Sequence, residues 1–219
     1  MTSAFDREPP PLDGEPRRHS AAPEFLAARA VAARSTTRAV VLVEGVSDAV
    51  ALRTLAQRRT RDLAAEGVAV VPMGGATSVG RFLALFGPNG ADVALAGLCD
   101  VAEERHVRRG LQEIGLGSAL TREEMARHGF FVCVADLEDE LIRALGTTAV
   151  EQVIEVAGEL GSFRTFQQQP AQRDRTHREQ LRRFMGTRSG RKIEYARLLV
   201  ERLDLARAPS PLDDVLAHL

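Results

Sequence analysis

The sequence predicts an α/β fold: a mainly parallel four-stranded sheet flanked by helices, with a helical C-terminal extension. Three observations predict it. Four short apolar runs, at 39–43, 68–73, 92–99 and 130–134, are each followed by a stretch with helical spacing, the pattern of crossover units in a parallel sheet. After about residue 146 the strand-like runs stop and only helical periodicity continues. Three of the apolar runs lead directly into carboxylates: Glu44 and Asp48, then Asp100, then Asp136 and Glu138.

Residues 1–22 are rich in Pro, Gly and polar residues without periodicity and are expected to be a disordered tail. An alanine-rich segment at 21–34 suits a short helix. The first strand, 39–43, is followed by Ser47 or Asp48, either able to cap a helix running to about residue 59 with Val50, Leu52 and Leu55 inward. The second strand ends at Gly74-Gly75, and Val79, Phe82, Leu83 and Phe86 give the next helix its apolar face. The third strand leads to a helix at about 103–114, and the fourth to one at about 138–145. The rest reads as helices at 148–160, 172–185, 190–203 and 211–219, with a loop at Thr187-Arg188-Ser189. The expected domains are the tail 1–22, an α/β core 38–146 and a helical extension 147–219 carrying a basic lobe and Lys192.

The apolar share of 44% and charged share of 27% suit a globular domain, and the net charge of −1 is uninformative by itself. Its distribution is not. Residues 92–160 hold 14 acidic and 6 basic residues; residues 161–207 hold 12 basic and 5 acidic ones. An acidic centre beside a basic lobe suits a metal site next to a phosphate-backbone track. Cys99 and Cys133 end apolar runs and read as small buried hydrophobes, not as a zinc site or disulfide framework. The histidines are scattered. Neither a membrane span nor a signal peptide is legible, so a cytoplasmic location is expected.

The acids carry the chemistry. In an open parallel sheet the carboxyl ends of strands share one edge, where ligands bind. Carboxylates gathered there repel one another unless a cation lies between them. Taken singly, each acid serves equally well as a helix-capping group near a positive helix end; together, at three strand ends, they point to a hard-metal site. Gly45 permits a tight turn after Glu44. Gly74 and Gly75 open a helix whose N–H groups can receive an anion, a weak signal. The segment Phe86-Gly87-Pro88-Asn89-Gly90-Ala91 starts like a phosphate-binding loop but lacks the Gly-Lys-Ser/Thr that completes one.

These motifs resemble the TOPRIM domain shared by topoisomerases, bacterial primases and certain nucleases, and resemble most that of the OLD (overcoming lysogenisation defect) nucleases. Glu44-Gly45-Val46-Ser47-Asp48 is similar to that family's Glu-Gly-x-Ser-Asp; the stretches from Leu98 to Glu104, from Ala135 to Leu141 and from Gly190 to Ala196 are similar to its later acidic motifs and its lysine-bearing helix. The resemblance spans about residues 38–203. It implies a Rossmann-like core and a Mg²⁺- or Mn²⁺-dependent DNA endonuclease with two ions, in repair or phage defence. In it Glu44, Asp48 and Asp100 surround one metal, Asp136 and Glu138 help a second, and Glu44 and Lys192 are catalytic, Lys192 balancing charge on the phosphate. Lys192 is the only lysine in the chain. Arg188 and Arg191 are expected to grip phosphate, the arginines of 173–183 less so. Ala102 stands where many relatives carry a second Asp; Glu103 or Glu104 is the expected substitute ligand. OLD nucleases also carry an N-terminal ATPase, not legible here, so an ATPase partner is expected to be a separate polypeptide; a homodimer is a further expected partner arrangement. The alternatives are a non-catalytic nucleic-acid- or partner-binding module, and a nucleotidyl transferase or RNA-processing nuclease.

Overall fold

The computed structural model describes residues 23–188 and 190–219; the expected disordered tail lies outside the described residues, as does Ser189 of the expected loop. In chain order the elements are α1 (Pro23–Ala32), β1 (Ala39–Val43), α2 (Val46–Arg58), β2 (Val68–Pro72), α3 (Val79–Phe86), β3 (Ala94–Asp100), α4 (Glu104–Glu113), α5 (Arg122–Arg127), β4 (Phe130–Cys133), α6 (Leu137–Leu145), α7 (Thr147–Val156), α8 (Leu160–Gln167), α9 (Pro170–Arg173), α10 (His177–Met185), α11 (Arg191–Arg202) and α12 (Ser210–His218).

The sheet is four-stranded in the order β2-β1-β3-β4, and every neighbouring pair is parallel. β1 is central and buried on both faces, which is why it reads as an unbroken apolar run. Its side chains alternate: Ala39, Val41 and Val43 enter one core with α2, α6, α7, α10, α11 and α12, while Val40 and Leu42 enter a second core with α1, α3, α4 and α5. From β1 the chain crosses outward to β2 and then back past β1 to β3. The strand order therefore reverses between β1 and β3, the position where a crevice opens at the carboxyl edge of such a sheet.

The first core runs across residue 146. Val41 and Leu98 of the strands share it with Leu181, Leu199, Val200, Leu212 and Val215 of the C-terminal helices. α11 lies along α2, and both helices start at the crevice edge. At their far ends Arg58 donates to the carbonyls of Val200 and Leu203 at 2.7 and 2.6 Å, fastening one C-terminus to the other. Lys192, at the start of α11, is thus brought to the acidic edge by packing 140-odd residues away in sequence from the first strand.

Three expectations about elements change. The helices expected at 148–160 and 172–185 are each broken: α7 stops at Val156 before Gly158, which sits at φ 73°, and α10 starts afresh at Thr176. There Thr176 and Glu179 form a capping box that a continuous helix would lack. α5 was not among the expected helices, although Thr121 and Glu124 cap it in the same way.

Candidate metal centre

Glu44 leaves the end of β1, and Asp100 is the last residue of β3, the adjacent strand. Glu103 follows at the cap of α4. Asp48 is in the first turn of α2, and Asp136 and Glu138 open α6 beyond β4. These side chains feel one another. Burial raises the Asp100 carboxyl to about 8, reinforced by the charges of Asp136, Glu44, Asp48 and Glu103. Burial and the neighbouring Glu44 carboxylate raise Glu103 to about 7, and Asp48 adds to the shift. Burial likewise raises Glu138 to about 7 even though Lys192 opposes the change. Asp48 is raised by burial, partly offset by the Gly45 N–H that it accepts at 2.8 Å and by Lys192. Carboxylates held this far above their ordinary range mark a place where negative charge is concentrated without compensation.

Lys192 is the cation of the site. Its Nζ lies 3.2 Å from Glu138 Oε2. Burial would lower the ammonium, but Glu138, Asp48 and Asp136 outweigh it and hold the group above the usual lysine value. One positive charge cannot balance six nearby acids. Among the described residues two carboxylate oxygens are sealed from solvent without a hydrogen-bond partner, Glu138 Oε1 and Glu103 Oε2. A buried unpaired carboxylate oxygen is costly, and a hard divalent cation is the ligand such oxygens fit. Among the described residues no three acids, histidines or cysteines are already closed around a single point, so a bound ion would draw these side chains inward.

Not every expected residue is free for that role. Asp136 caps α6 through Asp139 N–H at 2.9 Å and pairs with Arg182 at 2.5 Å, so both its oxygens have partners. Glu104 is buried away from the site against Arg122 and Arg108, and the hydrogen bond from Arg122 holds its carboxyl low. Of the two expected substitutes for the acid missing at Ala102, Glu103 is therefore the one at the site. Gly74 and Gly75 both donate to the backbone carbonyl of Glu44, at 3.0 and 3.3 Å; they brace the β1 turn, and those N–H groups are not free for a phosphate. Arg191 is buried, stacks 4.1 Å from the Phe184 ring and pairs with Glu159 at 2.8 Å, which makes it a support and not a phosphate grip. Arg188 is exposed, with a 3.3 Å contact to Glu159.

Several contributors carry no motif of their own. Glu159 accepts from Arg191 and, at 3.0 Å, from the Tyr195 hydroxyl, which clamps the first turns of α11 around Lys192. Glu140 accepts from Val134 N–H at 2.7 Å and so fixes the turn between β4 and α6. Asp139 takes Arg143 and Arg178 as partners at 3.2 Å. Cys99 and Cys133 are buried free thiols; burial pushes Cys99 up to about 12 and raises Cys133 as well.

Residues 37–100 match the family described as overcoming lysogenization defect protein-like, TOPRIM domain. No curated protein matches this sequence. Among solved structures, the C-terminal region of the Burkholderia pseudomallei OLD protein is similar at 19% identity and a TM-score of 0.66, over 83% of this chain and 96% of that one. The C-terminal region of the Xanthomonas campestris pv. campestris OLD protein is similar too, in structures that include the following two. The mercury-phased one has 22% identity, a TM-score of 0.65 and coverage of 84% and 95%. The iodine-phased one has 24% identity, a TM-score of 0.64 and the same coverage. At these identities the likeness is one of fold. No described helix is long and apolar enough to cross a membrane.

Proposed function

We propose, from the premise that residues 37–100 form an OLD-like TOPRIM domain, that this chain is a divalent-metal-dependent nuclease that nicks or cleaves DNA. The observation that carries the reading is the set of acids from three strand ends, with two buried orphan oxygens, gathered beside the single lysine. Glu44, Asp100 and Glu103 would hold one Mg²⁺ or Mn²⁺, and Glu138 with Asp48 would serve a second. Bound there, such ions supply an activated water and charge neutralisation on a transferring phosphodiester.

The protein's own contribution is order and charge. Its acids come from the ends of strands and the first turns of helices, so the backbone positions from which they reach toward a cation are fixed by the fold. Lys192 holds a positive charge at the same edge, where negative charge grows on the phosphate during transfer. The Glu159–Arg191–Tyr195 clamp fixes the first turns of α11, the helix from which that lysine projects. Asp136 acts on Arg182 and on the cap of α6, and so positions Glu138 two residues on.

The test is plasmid relaxation. Purified protein with Mg²⁺ or Mn²⁺ is expected to convert supercoiled plasmid to nicked or linear form, EDTA to stop it, and Glu44→Gln to lower the rate by at least about a hundredfold, the usual scale for a lost catalytic group. Intact plasmid with both metals over a wide range of protein concentration removes the nuclease reading.

A further inference from the structure

Beside the acidic edge lies a cleft of about 300 Å³ between the start of α6 and the face of α10. Asp136, Glu138 and Lys192 form its floor, and Arg175, Arg182, Arg183 and Glu179 form its wall. The charges of this wall are not equivalent. Glu179 is held by the cap of α10, bonding Thr176 N–H and hydroxyl at 2.8 and 2.7 Å. Arg182 is already neutralised by Asp136. Arg175 and Arg183 are exposed, and neither has a carboxylate partner among the described residues. Arg175 donates only to the Ala171 carbonyl, at 3.0 Å.

Two uncommitted guanidinium groups at the mouth of a cleft that ends in the metal-site acids would repel a cation and attract a polyanion. A single free phosphate would meet Glu138 and Asp136 at the floor. A chain of phosphates would instead run over the arginine wall with one group reaching the edge. We infer that this cleft is the seat of the nucleic-acid backbone, with Arg175 and Arg183 contacting the phosphates that flank the reacting one. The inference rests on the nuclease reading and deepens it, since it places the substrate across α10 and not across the opposite, α3–α4 side of the edge.

The experiment measures binding apart from cleavage. A fluorescent DNA duplex is titrated with the full chain in EDTA at several salt concentrations, and anisotropy gives the affinity. Arg175→Ala/Arg183→Ala is compared with wild type and with Arg109→Ala, an exposed arginine on α4 paired only with Glu113. Each lost phosphate contact is expected to weaken binding roughly tenfold near 0.1 M salt and to flatten the slope of log K against log salt by about 0.9. The double variant should lose close to two such steps, while Arg109→Ala should lose none. Circular dichroism and melting temperature matching wild type tie the loss to the cleft. DNA binding whose strength and salt slope are the same in the double variant and wild type overturns the inference and leaves the nuclease reading standing. A plasmid that stays intact while binding still depends on Arg175 and Arg183 does the reverse. No binding by wild type overturns it as well.

Discussion

Lys192 and Glu138 form the pair on which the site's charge balance turns. Their nitrogen and oxygen are 3.2 Å apart, and Glu138 is almost fully buried. Replacing the lysine by a neutral chain leaves that carboxyl with less to oppose its burial. Lys192→Met is therefore expected to abolish plasmid nicking, by at least about a hundredfold, while Mn²⁺ binding measured by calorimetry is retained. Loss of metal binding in that variant would instead make the lysine a structural prop. A second expectation concerns pH. Asp100, raised to about 8, and Glu103 and Glu138, raised to about 7, keep their protons in the folded protein where an unfolded chain has lost them. Between the ordinary carboxylate range and those values the folded state binds more protons, so stability falls as pH rises. In EDTA the melting temperature should drop from about pH 5 to about pH 9, and Asp100→Asn should flatten the drop. Stability that rises over that window would contradict the burial of these acids.

Which acids sit at strand ends is legible in the sequence because it is a local fact: an apolar run stops and a carboxylate begins. Which of two neighbouring acids faces the edge is not. Glu103 and Glu104 differ only by the phase with which α4 starts, and that phase is set by the buried pairing of Glu104 with Arg122 across eighteen positions of chain. The same holds for Arg188 and Arg191. Helical spacing leaves both open, and the stack on Phe184 decides for burial of Arg191.

The elements show how two distant helices are brought to one place. α2 and α11 run side by side, and Arg58 joins their far ends. Arg58→Ala leaves two terminal carbonyls without that donor. Urea unfolding should show a loss of about 1–3 kcal/mol, the range for buried groups stripped of a charged partner. If α11 slides as a result, nicking falls by more than the stability change explains. Within the sheet, Gly97 has no room for a side chain: an added Cβ would lie 2.6 Å from the Phe130 ring and 3.1 Å from the Leu42 carbonyl. Gly97→Ala should cost about 1–3 kcal/mol by overpacking. A variant as stable as wild type would mean that Phe130 gives way freely. The four strands were legible from apolar runs separated by helical spacing. The breaks between α7 and α8, and before α10, depend on Gly158 and on the Thr176–Glu179 box, signals that compete with an apolar stripe that runs on regardless.

At the scale of the whole molecule, one core connects the sheet to the C-terminal helices and so seats the basic face of α10 beside the acidic edge. That connection turns the charge asymmetry of the sequence into a surface with a purpose: acids at the floor, arginines on the wall beside it. The asymmetry is readable from residue counts, but its geometry is not, because Arg182 and Arg178 spend their charge on Asp136 and Asp139 to seat α10 on α6. A cation that binds only the folded chain should also stabilise it, by about 2.7 kcal/mol at a hundred times its Kd. The melting temperature at pH 8 should rise on adding Mn²⁺, and Glu44→Gln/Asp100→Asn should lose that rise. The most direct measurement is anomalous diffraction from crystals grown with Mn²⁺. A manganese peak ligated by Glu44, Asp100 and Glu103 is the predicted result; crystals saturated with Mn²⁺ that show no peak at the carboxyl edge of β1 and β3 would contradict it.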